Sequence, residues 1–405
     1  MPSRIERASA AKRPSSKRAC RDRQSSSCWL RGCVRIGVWG PHNRSLLMSG
    51  VNTEGIRREF ARLLERSLDP GGVFREASRL MRRVVAFDGA SWHGHDPATL
   101  LMTGAYKHDM TSENFPLFAE NENAQPDVNK FRDLGRCGPR AQTLLRATRG
   151  EPQQSARYRE IFRGMGIEHE LRASFREGSA CWGSVALVRR RGREDFSQTD
   201  VAFVATVAPS IARALRRAVV TRGEFGGATT DAPGIVLVDA RRCIDTVTPA
   251  AIRWLEELAE PEDFPLSNGA LPVALADVVA SARATGQSAR VRARTRLGRW
   301  LLLHASLTGG RDGRAAVIIE PAPQSTVAAL VAAGYGITKR ERDLLELVLR
   351  GYSTAEIATT LFISPHTVKD HLKSIFEKTS THTRGELVSR VFWQDCAPRM
   401  DLGIL

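Results

Sequence analysis

The sequence lacks several patterns that would place it in a common class of protein. Its seven cysteines include no CxxC pair, and no run of 18 apolar residues occurs. These absences argue against a zinc site, a disulfide framework and a membrane-spanning helix. We therefore expect reduced thiols in a cytoplasmic chain without membrane contact. No nucleophile–base–acid set is convincing, so we predict a protein that is not an enzyme, with no catalytic residue, metal or cofactor.

Positive charge is concentrated at the N-terminus. The chain of 405 residues has a net charge of +16, and residues 1–47 contribute eleven Lys/Arg against two Asp/Glu. This Arg- and Ser-rich stretch has no periodicity, which is typical of disorder. It is either a basic arm that adds non-specific affinity for DNA through counterion release, or an upstream extension of a protein whose translation starts at Met48. We favour the second interpretation.

The clearest local pattern lies in residues 337–395, where four short helices are predicted. Thr338 with Glu341 and Ser353 with Glu356 have the spacing of capping boxes, and Thr383 with Glu386 repeats it. Gly351 provides a stop after the first helix. Another N-cap, Ser364, is followed by proline at the first helical position. Two short helices joined by a tight turn predict a helix-turn-helix whose second helix enters a DNA major groove.

The helix that begins at Pro365 has two distinct faces. Its apolar positions at helical spacing are Val368, Leu372, Ile375 and Phe376, and the opposite face carries His366, Lys369, Asp370, Lys373 and Glu377. Lysine reaches guanine O6 and N7 or a phosphate, and aspartate accepts from cytosine N4. We therefore predict base contacts from His366, Lys369, Asp370 and Lys373. The free N–H groups at the helix start, around Ser364, point at a phosphate.

These residues carry a resemblance to a known family. The segments ITKRERDLLELVLRGYSTAEIA, LFISPHTVKDHLKSIFEK and TRGEL resemble the C-terminal DNA-binding domain of LuxR-type (NarL/FixJ-like) bacterial transcription regulators. The resemblance implies base-facing roles for Lys369, Asp370 and Lys373, and phosphate contacts near Thr367, Lys378 and Arg384. It also implies dimer contacts through the fourth helix. Asp370 departs from the family pattern, so we do not carry the half-site sequence of relatives over to this protein. Thr379 and Thr381 also depart from it, so we expect a looser last turn of the helix that begins at Pro365.

Residues 55–220 predict an α+β domain. Apolar spacing indicates entry helices, the segments GASWHGHD and TLLMTGAYK indicate paired strands, and HELRASF and CWGSVALVRR indicate two more. Between these pairs we expect an irregular polar stretch with helices near Arg140–Arg146 and Tyr158–Arg163. An amphipathic helix from Thr199 to Val219 closes the domain. The order resembles a GAF domain, most clearly in CWGSVALVRR and FSQTDVAFVATVAPSIARAL.

A Gly/Thr-rich linker over 221–233 precedes a second α+β region over 234–322. Its order is a strand (GIVLVDA), two helices (PAAIRWLEEL and LADVVASARAT), a hairpin turning at Gly298 and a last strand (AAVIIEP), which resembles a PAS domain. The alternating arginines Arg290, Arg292, Arg294 and Arg296 form either an anion site or a solvated sheet face, and we favour the second. Residues 323–336 predict a connector helix.

Two candidate sites in the first domain carry little specificity. His93, His95 and Asp96 with His108, or His169 between Glu168 and Glu170, have metal-ligand residue types, but ordinary polar residues are the better interpretation. Cys181 is more simply a buried thiol than a redox sensor. No GxxxxGK[ST] loop, receiver-type acidic cluster or acyl-homoserine-lactone pocket pattern is found.

The sequence as a whole predicts a multidomain cytoplasmic transcription regulator: a GAF-like and a PAS-like α+β domain before an all-α tetrahelical DNA-binding domain. Its expected partners are double-stranded promoter DNA, a second copy of the chain, RNA polymerase if it is an activator, and a possible small-molecule effector. The alternative is a signalling or interaction module whose helical domain contacts protein rather than promoter DNA.

Overall fold

The computed structural model describes residues 52–110, 114–220, 232–258, 271–309 and 313–390. The predictions for residues 1–47, for most of the linker 221–233 and for the last residues of the C-terminal domain lie outside the described part. Within it, no helix is long and apolar enough to cross a membrane.

The first α+β region contains a five-stranded antiparallel sheet and six helices. Its strands are β1 (Gly89–His95), β2 (Met102–His108), β3 (Ala141–Thr143), β4 (Ile167–Glu177) and β5 (Ala180–Arg190), in the order β2-β1-β5-β4-β3. Its helices are α1 (Thr53–Ala61), α2 (Pro70–Met81), α3 (Phe115–Asn123), α4 (Phe131–Arg136), α5 (Leu144–Ala147) and α6 (Gln198–Ala218). Shorter turns are the 3₁₀ segments Arg62–Glu65 and Pro152–Gln154 and the π-turn Tyr158–Phe162.

Helices cover both faces of this sheet because β1 alternates between two buried environments. Trp92 stacks on Phe175, with ring centroids 5.8 Å apart, in the core that α1, α2 and α6 complete. His93 points to the other face, where its ring lies 5.2 Å from that of Phe131 at the start of α4. All seven residues of β1 are buried, as expected for a central strand between two layers.

Two details of this region differ from the sequence-based prediction. Residues 141–143 form β3 at the sheet edge, and only the four residues of α5 that follow are helical, so the predicted helix near Arg140–Arg146 was largely wrong. The stretch expected to be irregular also contains α3 and α4. Phe115 and Phe131 within it are buried against the sheet, so tertiary packing stabilises helices whose local pattern is weak.

A charged network is buried beneath α3. Arg157 donates to Glu170 at 2.8 Å, and Arg172 donates to the other oxygen of Glu170 at 2.8 Å and also to Glu122. Arg157 and Arg172 are fully buried, and the Arg172 guanidinium lies 4.2 Å from the centroid of the Phe131 ring. Removing one partner would leave a buried charge unpaired, so the network fixes the position of α3 over the sheet.

The second α+β region has a sheet of the same strand arrangement. Its strands are β6 (Gly234–Val238), β7 (Ile244–Val247), β8 (Ala289–Arg294), β9 (Trp300–Leu307) and β10 (Ala315–Pro321), in the order β7-β6-β10-β9-β8. Its helices are α7 (Pro249–Leu258) and α8 (Val273–Thr285). Gly298, at φ +84°, occupies the predicted hairpin turn between β8 and β9. β7 was missed because it is only four residues long and its two central residues are polar and exposed.

The two regions share a continuous core. Helix α8 packs on β2 and α3 of the first region. The edge strand β2 of the first sheet lies next to β8, an edge strand of the second sheet. The Asp277 carboxylate of α8 accepts hydrogen bonds from the Met102 N–H and from the Asn123 side chain, both at 2.7 Å. The acceptor therefore satisfies a backbone donor at the edge of the first sheet.

The alternating arginines form a solvated face only in part: Arg290 and Arg296 are exposed, whereas Arg292 and Arg294 have partners in the first region. Arg292 is 7% exposed and pairs with Asp96 of the first region. Arg294 donates to the carbonyl of Ala218 at the end of α6, at 3.0 Å. The sequence could not reveal these partners, because they lie 196 and 76 residues away along the chain.

Residues 324–390, the described C-terminal part, contain helices and no strand. The helices are α9 (Gln324–Gly334), α10 (Lys339–Leu349), α11 (Thr354–Leu361), α12 (Pro365–Thr379) and α13 (Arg384–Val388). The four helices after α9 enclose a small core that contains Leu344, Ile357, Val368, Ile375 and Leu387. This matches the tetrahelical arrangement predicted from the helix caps.

The pH dependence of stability should report on Asp277. Burial raises the pKa of its carboxyl to about 6, despite the two donated hydrogen bonds. The folded state therefore holds this proton more tightly than the unfolded state, so the contribution of Asp277 to stability falls as pH rises from about 4 to 6. Over that range, the free energy of unfolding of Asp277→Asn should rise by up to about 3 kcal/mol relative to that of wild type. Chemical denaturation at each pH measures this difference. A free-energy difference that stays constant from pH 4 to 7 would contradict this.

Candidate nucleic-acid interface

The predicted helix caps are present in the C-terminal domain. The Thr338 hydroxyl accepts from the Glu341 N–H at 3.3 Å, and the Glu341 carboxylate accepts from the Thr338 N–H at 2.7 Å. Ser353 and Glu356 make the same reciprocal pair. These predictions are confirmed, since capping depends on residues only three positions apart.

The start of α13 is a variant of the predicted box. The Thr383 hydroxyl accepts from the Glu386 N–H at 3.1 Å, as expected. The Glu386 carboxylate, however, accepts from the N–H of His382 at 2.8 Å instead of from Thr383. The backbone of Thr383 is extended, with φ −128° and ψ 158°.

The apolar side of α12 holds it against α10 and α11. Val368 and Ile375 are fully buried, and Leu372 and Phe376 are half-buried against the same core. The Ser364 hydroxyl caps the helix by accepting from the Thr367 N–H at 3.0 Å. A rigid anchor of this kind lets the opposite side of α12 project as a fixed set of polar groups.

The four side chains predicted to face bases all lie on that exposed side. His366, Lys369, Asp370 and Lys373 are each exposed. His366 Nδ1 lies 3.0 Å from the Asp370 carboxylate, one helical turn away. Within the described part of the chain, Lys369 and Lys373 have no acidic partner within 4.0 Å. The face therefore combines two unpaired cations with a carboxylate and an imidazole.

The residues predicted to contact phosphate fall into two groups. Ser364 and Thr367 lie at the exposed start of α12, with their hydroxyls 2.9 Å apart. Lys378 and Arg384 are held inside the domain: the Lys378 ammonium binds Glu341, and Arg384 donates to the carbonyls of Val348 and Tyr352. A phosphate contact from Lys378 or Arg384 would have to compete with these internal partners.

Glu341 connects the start of α10 to the end of α12. Its carboxylate accepts from Lys378 at 2.6 Å and from the Ser374 hydroxyl at 2.7 Å, besides the Thr338 N–H. Burial alone would raise its pKa, but these donors outweigh it and lower the pKa to about 2. The sequence pattern gave Glu341 only the capping role, because its other partners are more than 30 residues away.

The two threonines that depart from the family pattern do not loosen the last turn of α12. Thr379 is fully buried and its hydroxyl donates to the Ile375 carbonyl at 2.8 Å. The Thr381 hydroxyl lies 2.8 Å from that of Thr379. Their polar groups are thus satisfied internally, and the expectation of a looser turn is not supported.

The same segment matches a protein-family model. Residues 336–391 match the model described as bacterial regulatory proteins, luxR family. The spore germination protein GerE of Bacillus subtilis is 40% identical over 52 residues, which cover 13% of this chain and 70% of GerE. The chain belongs to the LuxR family of bacterial regulatory proteins. The monoamine regulon transcriptional regulator of Klebsiella aerogenes is 46% identical over 63 residues, 16% of this chain and 27% of that regulator.

The family model covers only the C-terminal domain of this chain, residues 336–391. Escherichia coli SdiA aligns with 84% of this chain and 96% of its own, at 13% identity and a TM-score of 0.32. A GAF domain/HD domain protein from Geobacter sulfurreducens aligns with 36% of this chain and 93% of its own, at 16% identity and a TM-score of 0.28. Scores this low support no inference about the two α+β regions.

Sequence reasoning missed one prominent feature of the LuxR-type domain. Phe362, in the turn before α12, is 93% exposed and has a positive φ of 54°. A bulky residue rarely adopts this conformation, and large apolar side chains are seldom so exposed. The turn length predicted a tight connection, but no pattern indicated which way the ring would point.

The first α+β region contains a small, partly open cavity beside His93. Its volume is about 30 Å³, room for one water molecule, and its lining includes Ser91, Phe115, Phe118 and Phe162. His93 bonds to the Ser91 hydroxyl at 2.8 Å through Nε2, whereas its buried Nδ1 has no partner in the described part of the chain. Burial holds the pKa of the imidazole well below its usual value, so the ring is neutral.

The other weak candidates have structural roles. His95 is bound between the Leu100 carbonyl and the Ser184 hydroxyl, at 2.9 and 2.8 Å. His169 bonds to the Arg193 carbonyl, at 2.9 Å. Burial raises the pKa of the Cys181 thiol to about 11, which confirms the interpretation as a buried structural cysteine. The described residues include no group of three metal-ligating side chains.

Glu341→Gln should destabilise the C-terminal domain by about 1–3 kcal/mol, because a charge-assisted acceptor of three donors becomes a neutral amide. Hydrogen exchange of amides in α10 and α12 measures the loss. Glu377→Gln, the same change at an exposed position of α12, is the matched control and should leave exchange unchanged. Equal effects of the two substitutions would show that the Glu341 network contributes nothing specific.

Proposed function

We propose that this LuxR-family chain is a bacterial transcription regulator that binds double-stranded promoter DNA by inserting α12 into the major groove. One observation carries the proposal. The exposed side of α12 presents His366, Lys369, Asp370 and Lys373 from a helix whose opposite side is anchored in a core. A single α-helix fits the groove, which is about 12 Å wide, and these side chains match base-edge donors and acceptors.

Phosphate contacts would set the register of α12. Ser364 and Thr367 lie at the helix N-terminus, where free N–H groups and the helix dipole favour an anion. The guanidinium of Arg384 and the ammonium of Lys378 are already bound within the domain, so we assign them to supporting the groove-facing helix. We further propose binding as a homodimer to a two-fold site, and contact with RNA polymerase if the output is activation.

The two α+β regions would regulate this binding. We propose that residues 55–220 and 234–322 are GAF-like and PAS-like domains, and that residues 323–336 connect them to the DNA-binding domain. A small-molecule effector would bind within these regions, but outside the cavity beside His93, which has room for only one water molecule. The protein would act in the cytoplasm without catalysing a reaction.

One observation favours a second candidate function. The exposed ring of Phe362 suits a protein partner better than a phosphate backbone. In that alternative, the helical domain would be an interaction module. Selection of bound sequences from a pool of random DNA by the protein would then enrich no sequence. The same selection on the full-length protein therefore separates the two candidates.

Lys369→Ala and Lys373→Ala should each weaken binding to the selected operator by about 1–3 kcal/mol where the lysine contacts a base. A lysine that contacts phosphate instead should weaken binding to all sequences and reduce the salt slope by about 1. Fluorescence anisotropy at several salt concentrations distinguishes these outcomes.

Arg191→Ala is the control for loss of charge, because Arg191 is exposed on the first α+β region, far along the chain from α12. It should leave the affinity unchanged. If both lysine variants bind the operator as tightly as wild type at moderate salt, α12 does not face the groove.

Asp370→Ala should alter specificity more than affinity. A carboxylate accepts from cytosine N4 and is repelled by groove acceptors, so its removal should relax one position of each half-site from cytosine to any base. Repeating the selection with the variant measures this change. An unchanged consensus would exclude Asp370 from base contact.

A further inference from the structure

The connector helix α9 belongs to two cores at once. Leu330, which is 4% exposed, lies in the core of the first α+β region with residues of α6. Two positions later, Ala332 lies in the core of the DNA-binding domain with Ile337 and Leu344. Any rotation of α9 therefore moves the DNA-binding domain relative to the first region.

The C-terminal end of α9 touches α6 through a glycine. A Cβ atom placed on Gly334 would lie 2.8 Å from Val220 Cγ1 and 3.3 Å from the Arg216 carbonyl. Backbone approach this close allows little change in the distance between the two helices. The end of α9 nearest the DNA-binding domain is thus fixed by packing.

The N-terminal end of α9 is held by Arg292 of β8. Its Nη1 donates to the Thr326 carbonyl at 2.8 Å, in the first turn of α9. Its Nε donates to the Asp96 carboxylate at 2.8 Å, and its second Nη donates to the other oxygen of the same group. One guanidinium therefore joins the second region, the first region and α9.

Asp96 is itself fixed to the central strand of the first sheet. It follows β1 directly, its carboxylate accepts from the Ala98 N–H at 3.0 Å, and it is only 2% exposed. His93, three positions before Asp96, lines the small cavity, and His95, the preceding residue, bonds to Ser184. A displacement of the end of β1 would thus reach the Asp96 carboxylate first.

Stability alone does not account for this buried pair. Two apolar side chains of similar size are often as stable in such a position, because charges lose hydration on burial. The guanidinium also fixes a geometry. Its N–H groups lie in one plane, and they bind the Asp96 carboxylate and the Thr326 carbonyl at the same time.

We propose that the Asp96–Arg292 pair is a positioning element that couples the end of β1 to α9 and thereby sets the orientation of the DNA-binding domain. This coupling deepens the proposed function, and its DNA readout rests on it. Since the interface side of α12 is exposed in the coupled state, we assign DNA binding to that state.

The test uses full-length Asp96→Asn/Arg292→Met, which removes both charges and keeps an acceptor for the Ala98 N–H. Hydrogen exchange of the amides of residues 327–332 should become at least tenfold faster, because the first turn of α9 loses its restraint. Binding to the selected operator should become at least fivefold weaker. The matched control is Glu257→Gln/Arg299→Met, which removes an ion pair inside the second region and should change neither readout.

A single substitution guards against misfolding of the double variant. Arg292→Lys keeps a cation opposite Asp96, but one ammonium cannot reproduce the planar fork that also reaches Thr326. We expect at least threefold faster exchange in α9 with unchanged exchange in β1 and β5.

Unchanged α9 exchange in both Arg292 variants would overturn the proposal, and so would faster exchange with undiminished operator affinity. If the wild-type protein selects no DNA sequence, the proposed function fails instead. The exchange readout needs no DNA, so it still decides whether the pair positions α9.

Discussion

A charge that leaves water must keep a partner in a fixed geometry, and this requirement organises the structure at three levels. Within the first region, Arg157 and Arg172 are neutralised by carboxylates under α3. Between the two α+β regions, Arg292 is neutralised by Asp96. In the DNA-binding domain, Glu341 binds Lys378. The pairs Arg172–Glu122, Arg292–Asp96 and Lys378–Glu341 join elements that are 37 to 196 residues apart, so the buried charges determine how layers and regions are placed relative to one another.

The sequence predicted what depends on neighbouring residues. The caps at Thr338, Ser353 and Ser364 need partners only three positions away. The strands β1 and β5 were predictable from their residue composition. The exposed face of α12 was also predictable, because helical periodicity decides which side chains share a side. The same locality explains why the family resemblance is clear in this domain: its short helices need capping residues at fixed positions.

Partners far apart in sequence could not be predicted. Lys378 was assigned to a phosphate because the family resemblance implied it, whereas in the structure Glu341, 37 residues earlier, binds its ammonium. Arg292 lies in β8, where arginines at alternate positions suggested a solvent-exposed face. Periodicity shows which residues share a face of a strand, but it does not show what covers that face. Helices α3 and α4 were missed for the same reason, as their aromatic anchors are buried only once the sheet exists.

Charge in the DNA-binding domain shows why composition is a poor guide to its function. Residues 337–391 contain nine Lys/Arg and seven Asp/Glu, which suggests a nearly neutral surface. Yet Glu341, Glu356 and Glu386 all accept backbone N–H groups at helix starts, and Glu341 is also buried. Much of the negative charge of the domain therefore lies at the helix starts and not on the face where Lys369 and Lys373 remain unpaired. The acidic residues at the caps stabilise the helices, and Lys369 and Lys373, which lie beside Asp370 and Glu377 on the exposed side of α12, attract a polyanion.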